Sequence, residues 1–494
     1  MLSSSARSNT LEQKSIYHLV WRWHFYAGLY VVPFLLMLSI TGLFMLFDEE
    51  IETLRYGAII NIQEQSSKTD SSTQLLAVKD AFPNATITQF IPSKTADMAN
   101  RFTIQTAENK QLFVMVNQYN AQVLGTIDRS NSVYATANKI HSTLLIGDWG
   151  DYLIEVSASL GVLLLVSGVY LWIPNNAESR AGFLKIRTNS GRRILLRDLH
   201  ANTSGLLSAI LFLFLLSGLA WTGIWGAKIV QAWNTFPSHY VWGERPSSDL
   251  PEMLTHADLN HGSEEEMPWN LELTPVPEST HEAHDHAKML QEGFQSTHAD
   301  ASQANSANAI NNTVSIDSIV ELASSVGFSQ YRVFFPQSAN GVYTITANSM
   351  AGDITDPAND RTVHVDQYSG SVLMDVTWQD YSALAKLVAM GVSLHQGDVG
   401  IANKLLNALF CVSFIFIAVV GTIMWWIRRP SQRRSLGVPP RFKQDGVWKV
   451  GVITLILISI LFPLSGIAIV IIFALDYLIL GRQSTDSGAH RLKV

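Results

Sequence analysis

The chain has 494 residues, a net charge of −7 and charged side chains at 15% of positions, against roughly a quarter in an average globular domain. That balance gives no reason to expect a nucleic-acid partner. Cys411 is the only cysteine, which excludes intrachain disulfides and zinc sites built from four cysteines or from two cysteines and two histidines.

The predicted elements follow in chain order. A basic segment, 1–22, with Arg7, Lys14 and Arg22, precedes an apolar run at 23–47, TM1. The run is too long for a signal-peptide core and has no small-residue cleavage site, so it reads as a retained helix. The first outer domain, 48–140, carries a helix-like stretch from Thr73 and a hairpin pattern from Gln111, "QLFVMVNQYNAQVLGTID". Residues 141–173 hold His141 and then TM2, within the apolar run from Tyr152 to Ile173. A basic loop, 174–199, leads to TM3 at 200–227, which opens on His200.

The segment 228–312 is acidic, and from about Glu244 it is rich in histidine (His256, His261, His281, His284, His286, His298) and then in Ala, Ser and Asn. It reads as a disordered linker, with weak metal capture by "HEAHDH" as the other option. The second outer domain, 313–394, repeats the pattern: a helix-like stretch from Ile316, then the hairpin "RTVHVDQYSGSVLMDV" from Arg361. His395 opens the lead-in to TM4 (395–427), a basic loop follows at 428–449, and TM5 (450–474) precedes a tail, 475–494.

A membrane span needs about 20 residues, and each of the five runs meets that. The fold class expected is an integral membrane α-helical bundle with two small α+β extracytoplasmic domains. The three short Lys/Arg-rich segments belong in the cytoplasm by the positive-inside rule, which puts both long loops outside, the N-terminus inside and the C-terminus outside.

The chain reads as duplicated: helix, outer domain, helix, twice in parallel, plus one extra helix. His24 is followed eighteen residues later by Gly42 in "SITGLFMLF", and His200 eighteen residues later by Gly218 in "LLSGLAWTG". His141 in "NKIHSTLLIGDWG" and His395 in "GVSLHQGDVG" stand at matching outer positions. Four histidines thus form two matched pairs, His24–His200 at the inner face and His141–His395 at the outer. A histidine near a helix end is ordinarily an interfacial or capping residue, and duplication would copy it. Paired imidazoles across a helical bundle are also a common axial ligand set for haem iron. Gly28 and Gly205 suit either a flat macrocycle or close helix packing. Bare zinc is disfavoured because no tight cluster of further ligands adjoins any of the four. His18, six residues before His24, is the alternative inner ligand.

The segments "WRWHFYAGLY", "IHSTLLIGDWG", "RDLHANTSG" and "SLHQGDVG", with the terminators "GVYLWIP" and "IMWWIRRP", carry a family resemblance. The chain resembles the PepSY-associated transmembrane proteins, iron-regulated inner-membrane proteins that include ferric-siderophore reductases, over about Ser15 to Pro430 apart from the linker. The resemblance implies that the two outer domains are PepSY-like. It also implies two haem b groups held by His24, His200, His141 and His395, transmembrane electron transfer, and reduction of a ferric siderophore or other ferric chelate at the periplasmic side of a bacterial inner membrane.

No dinucleotide fingerprint, P-loop, GxSxG or HExxH occurs, and the cytoplasmic loops are too short for a flavin or nicotinamide domain. The expected electron donor is therefore a membrane quinol or a separate cytoplasmic reductase. The competing expectation is a membrane-anchored PepSY protein that binds or regulates a partner without redox chemistry. A transporter is disfavoured because the main helices offer almost no buried charge.

Overall fold

The computed structural model describes residues 2–174, 180–230, 254–260, 266–279, 313–338, 340–429, 438–439 and 449–475. In chain order the helices are α1 (Leu2–Leu46), α2 (Asp48–Ile60), α3 (Ser71–Ala81), α4 (Val133–Thr143), α5 (Asp148–Trp172), α6 (Arg192–Leu219), α7 (Ile316–Ser325), α8 (Ala383–Gln396), α9 (Ile401–Arg428), α10 (Lys449–Leu461) and α11 (Pro463–Leu475). The strands are β1 (Thr86–Ile91), β2 (Asn100–Gln105), β3 (Gln111–Val116), β4 (Val123–Asp128), β5 (Arg332–Phe334), β6 (Val342–Ala347), β7 (Arg361–Asp366) and β8 (Val372–Thr377). The chain divides into two compact units. A helical unit comprises 1–43, 139–230 and 406–494, and a sheet unit comprises 44–138 and 231–405.

In the helical unit four helices, Ile16–Leu46, Asp148–Trp172, Arg192–Leu219 and Ile401–Arg428, are long and apolar enough to cross a membrane. The protein is a membrane protein with an antiparallel sheet domain. Its helical core joins Val31 of α1, Leu160, Val162 and Leu163 of α5, Leu219 of α6, and Ile458, Phe462 and Ile469 from the fifth apolar run. Gly161 lets Leu215 of α6 approach α5, since a Cβ there would lie 3.1 Å from the leucine methyls.

The fifth run does not form the single span expected at 450–474. Pro463 has no amide hydrogen to continue a helix, so the run breaks into α10 and α11 around Phe462. A Cβ on Gly466 would lie 2.9 Å from Cβ of Ser459. Seven residues of continuous helix would separate those positions by about 10.5 Å, so the chain bends sharply there. Each piece is 13 residues, about 20 Å, shorter than a bilayer core. The run is thus two short apolar helices in place of one long one, and the tail after Leu475 lies outside the described residues.

In the sheet unit the two expected outer domains are one structure. A single eight-stranded antiparallel sheet runs β4-β3-β2-β1-β5-β6-β7-β8. Both hairpins are present, as β3–β4 and β7–β8. The halves join where β1 pairs with β5, Gln89 opposite Phe334 and Phe90 opposite Val333. Taken separately, each half would end in an edge strand with unpaired amides; joining them removes both edges. One face of the sheet packs Phe90, Phe102, Val114, Val333, Ile345 and Val363 against Val78 of α3 and Ile319 of α7. The alternate residues Phe113 and Met115 meet Ile60 of α2 on the other face. Both faces of β3 are covered, which explains why "LFVMV" reads as a continuous apolar run.

The stretch read as a disordered linker is partly a strap on this second face. Met267 and Leu271 are fully buried, and Leu271 packs on Val376, Tyr381 and Ala385. Glu266, 1% exposed, binds both halves of the sheet: Arg129 at 2.9 Å and Gln89 in the first, Arg332 at 2.9 Å in the second. Asn348 holds its backbone carbonyl at 2.7 Å. The remaining linker histidines, His261, His281, His284, His286 and His298, lie outside the described residues.

His256 of the strap is also buried, with Nε2 at 2.8 Å from Nε2 of His364 on β7. The carbonyl of Thr274 can only accept, so Nδ1 of His256 donates to it (2.7 Å). With both rings neutral, Nε2 of His256 then accepts from His364, and Nδ1 of His364 accepts from the Thr344 hydroxyl (2.9 Å). Burial pushes His256 down to about 4 and His364 well below the ordinary histidine value. The unfolded chain, with histidines near 6.5, therefore binds protons that the folded sheet unit refuses. The stabilisation is full above about pH 6.5 and should be lost as pH falls toward about 4. Thermal unfolding across that window should show it, and His256→Asn should flatten the slope.

Candidate haem-ligand histidines

His24 and His200 both lie inside long helices, not at their ends: α1 starts at Leu2 and α6 at Arg192. A capping role is thereby removed. The structure brings their rings together, with centroids 6.5 Å apart and planes at 80°. Each Nδ1 is tied to a backbone carbonyl of the neighbouring helix, His24 to Leu164 of α5 at 3.0 Å and His200 to Ile417 of α9 at 3.1 Å. The Ser167 hydroxyl lies 3.1 Å from the same nitrogen of His24. Because a carbonyl only accepts, both rings carry their hydrogen on Nδ1 and the lone pair on Nε2. This is the tautomer of a metal-ligating histidine whose other nitrogen is fixed by a second group.

The spacing fits two axial ligands on one metal. A metal–imidazole distance of about 2.0–2.1 Å, with the ring centre roughly 1.2 Å behind the nitrogen, puts two such centroids about 6.4 Å apart. Among the described residues no three or more His, Cys, Asp or Glu side chains converge as a metal site. Two imidazoles alone would suit a macrocycle that supplies its own equatorial nitrogens.

Two glycines on the partner helices admit these rings. A Cβ on Gly168 would lie 3.0 Å from Cε1 of His24, and one on Gly421 would lie 3.1 Å from Cε1 of His200. Their signal in the sequence is a shared spacing, Gly168 to Trp172 and Gly421 to Trp425, at the ends of the two repeats. Gly28 and Gly205 instead serve helix packing, against Leu164 and the Trp172 ring. Gly168→Val should displace His24 and lower the haem-to-protein ratio, whereas Gly28→Ala, with its nearest neighbour at 3.6 Å, should leave it near normal.

The motif "RDLHANTSG" does more than carry His200. Asp198, 1% exposed, binds Arg187 at 2.7 Å and Arg197 at 3.0 Å. Asn202 accepts from the Trp172 indole (3.0 Å) and donates to the carbonyls of Gly182 and Lys185. The basic loop is thereby fastened to the helix on either side of His200.

His141 lies in the last turn of α4. The Thr41 hydroxyl donates to the Met37 carbonyl (2.8 Å) and so accepts from Nδ1 of His141, also at 2.8 Å. Gly42, eighteen residues after His24, faces this ring, with a Cβ position 3.8 Å from its Cε1. His395 holds the equivalent place in the last turn of α8, before Gly397 caps that helix in the left-handed conformation. Burial pushes His395 down to about 4. His141 belongs to the helical unit and His395 to the sheet unit. His18, the alternative inner ligand, packs edge-on to Tyr17 and Trp21.

One charged side chain inside the second apolar run has no counterpart in the sequence reading of nearly charge-free helices: Glu155 of α5, 1% exposed. A search of curated protein sequences finds no match to the chain. The family described as PepSY-associated TM region matches residues 21–428, from just before His24 to the last residue of α9. The chain belongs to the PepSY-associated transmembrane family.

Proposed function

We propose that this protein is a di-haem electron carrier of a bacterial inner membrane that reduces ferric siderophores or other ferric chelates at the periplasmic face. The observation that carries the reading is the His24–His200 pair: two imidazoles at axial-ligand spacing, each held by Nδ1 on a carbonyl of a different helix. His24 and His200 would hold an inner haem b, and His141 and His395 an outer one. Bound there, haem supplies a reversible one-electron centre.

The residues of the chain account for the rest. Leu164 and Ile417 fix the imidazole tautomers, Gly168 and Gly421 make room for the rings, and Thr41 orients His141. Eighteen residues of α1 from His24 to Gly42 cover about 27 Å, close to the hydrocarbon thickness, so the two ligand levels suit opposite faces of a bilayer. The electron donor is a membrane quinol or a separate cytoplasmic reductase, and the basic segments 1–22, 174–199 and 428–449 face the cytoplasm.

A visible absorption spectrum of the purified, detergent-solubilised protein tests this. A Soret band that shifts on dithionite reduction supports the reading. Its absence after haem supplementation favours a PepSY protein that binds or regulates a partner without redox activity.

A further inference from the structure

Two arginines flank the His24–His200 pair at one end of the helical unit. Arg193 stands seven residues before His200 on α6, and Arg428 stands seven residues after Gly421, the glycine of α9 that admits the His200 ring. Seven residues are close to two turns. Each arginine therefore shares the face of its helix that makes the His200–Gly421 contact, about 10.5 Å nearer the helix end. Helix α1 completes the arrangement. The Arg428 guanidinium lies over the ring of Trp21 at 4.7 Å and of Phe25 at 5.4 Å, two aromatic residues that bracket His24. Aromatic faces hold a cation in place without neutralising it. Arg193 is near enough to act on Arg428 as a like charge. Two guanidinium groups from different helices thus meet beside the histidines, which costs free energy until an anion joins them.

These three helices supply few carboxylates. Across 16–46, 180–219 and 401–429 the one Asp or Glu is Asp198. Both of its oxygens are taken by Arg187 and Arg197. Arg22 of α1 is turned to the Pro439 carbonyl and the Tyr26 hydroxyl. An arginine that only marks the membrane boundary needs no place beside the histidines, and Arg192 shows the contrast. It lines up at intervals of seven with Leu206 and Leu213, which are 64% and 61% exposed, so it stands on the lipid-facing side of α6.

We infer that Arg193 and Arg428 receive the two carboxylate side chains of the haem b that His24 and His200 would hold. The inference rests on the di-haem reading above. A guanidinium presents paired N–H donors that match a carboxylate, and two carboxylates offset the repulsion between the two arginines. The four side chains then divide the work: the imidazoles take the metal, and the arginines take the charged edge of the macrocycle and fix which way round it sits.

Haem b and its dimethyl ester differ in those two charges, so the pair of compounds is the probe. Full-length His141→Ala protein, in which one site remains to be read, is depleted of haem in detergent and titrated with each compound, with the Soret band as the readout. Haem b should bind about tenfold or more tighter than the ester. Arg193 is exposed, so R193Q should fold normally, and it should cut that preference to about threefold or less. R428Q should do the same. R192Q carries the same change in net charge and should leave the preference intact. Equal affinity for haem b and ester in the parent protein would overturn the site. So would an equal loss in R192Q, which would mean that only a diffuse positive field is felt. Absence of any Soret band in the His141→Ala protein would sink the inner haem itself and the arginine site with it.

Discussion

Replacing either His24 or His200 by alanine should remove one haem, halving the haem-to-protein ratio, and leave the other spectroscopically near normal. The two ring centroids lie 6.5 Å apart, and on the proposed di-haem reading either substitution would leave one imidazole of the pair to hold the group. His141→Ala and His395→Ala should remove the other haem and spare the first. Each variant should abolish transfer from a cytoplasmic-side donor to an external ferric chelate, since electrons would need both centres. Paramagnetic resonance of the single variants reads out which low-spin species disappears. Retention of two bis-histidine signals in His24→Ala would transfer the inner role to His18.

Replacing Glu266 by alanine should destabilise the sheet unit by about 3–5 kcal/mol, because it removes the buried carboxylate that Arg129 and Arg332 share. Arg129 is 4% exposed at its side chain and Arg332 is 10% exposed. Arg332 keeps a second partner in Asp353 at 2.8 Å, so the loss falls chiefly on the first half of the sheet. For a unit of this size the fall in Tm should be on the order of 10 °C, measurable by calorimetry or by the unfolding of a fluorescent reporter. Deleting residues 256–308 should do more, since it removes Glu266, His256, Met267 and Leu271 together. An unstructured linker would tolerate that deletion with no change in Tm. The strap residues therefore separate the two accounts of this segment.

The four spans were legible in the sequence because a bilayer demands about 20 consecutive apolar residues, and that demand is local in the chain. The hairpins at Gln111 and Arg361 were legible for a similar reason: period-two alternation and a Gln-Tyr turn are read within one short window. The inner histidine pair was legible through repetition, His24 with Gly42 and His200 with Gly218. What only the tertiary structure decided depends on contacts between residues far apart in the chain. The joining of β1 to β5 satisfies edge amides that carry no side-chain signature. The strap has no periodicity, and its anchors are single side chains, Glu266 and His256, whose partners stand in strands elsewhere. The break of the fifth run turns on one proline within an otherwise uniform apolar stretch. The tautomers of His24 and His200 are set by carbonyl groups, which every residue possesses, and only packing determines which carbonyl stands 3 Å from which ring.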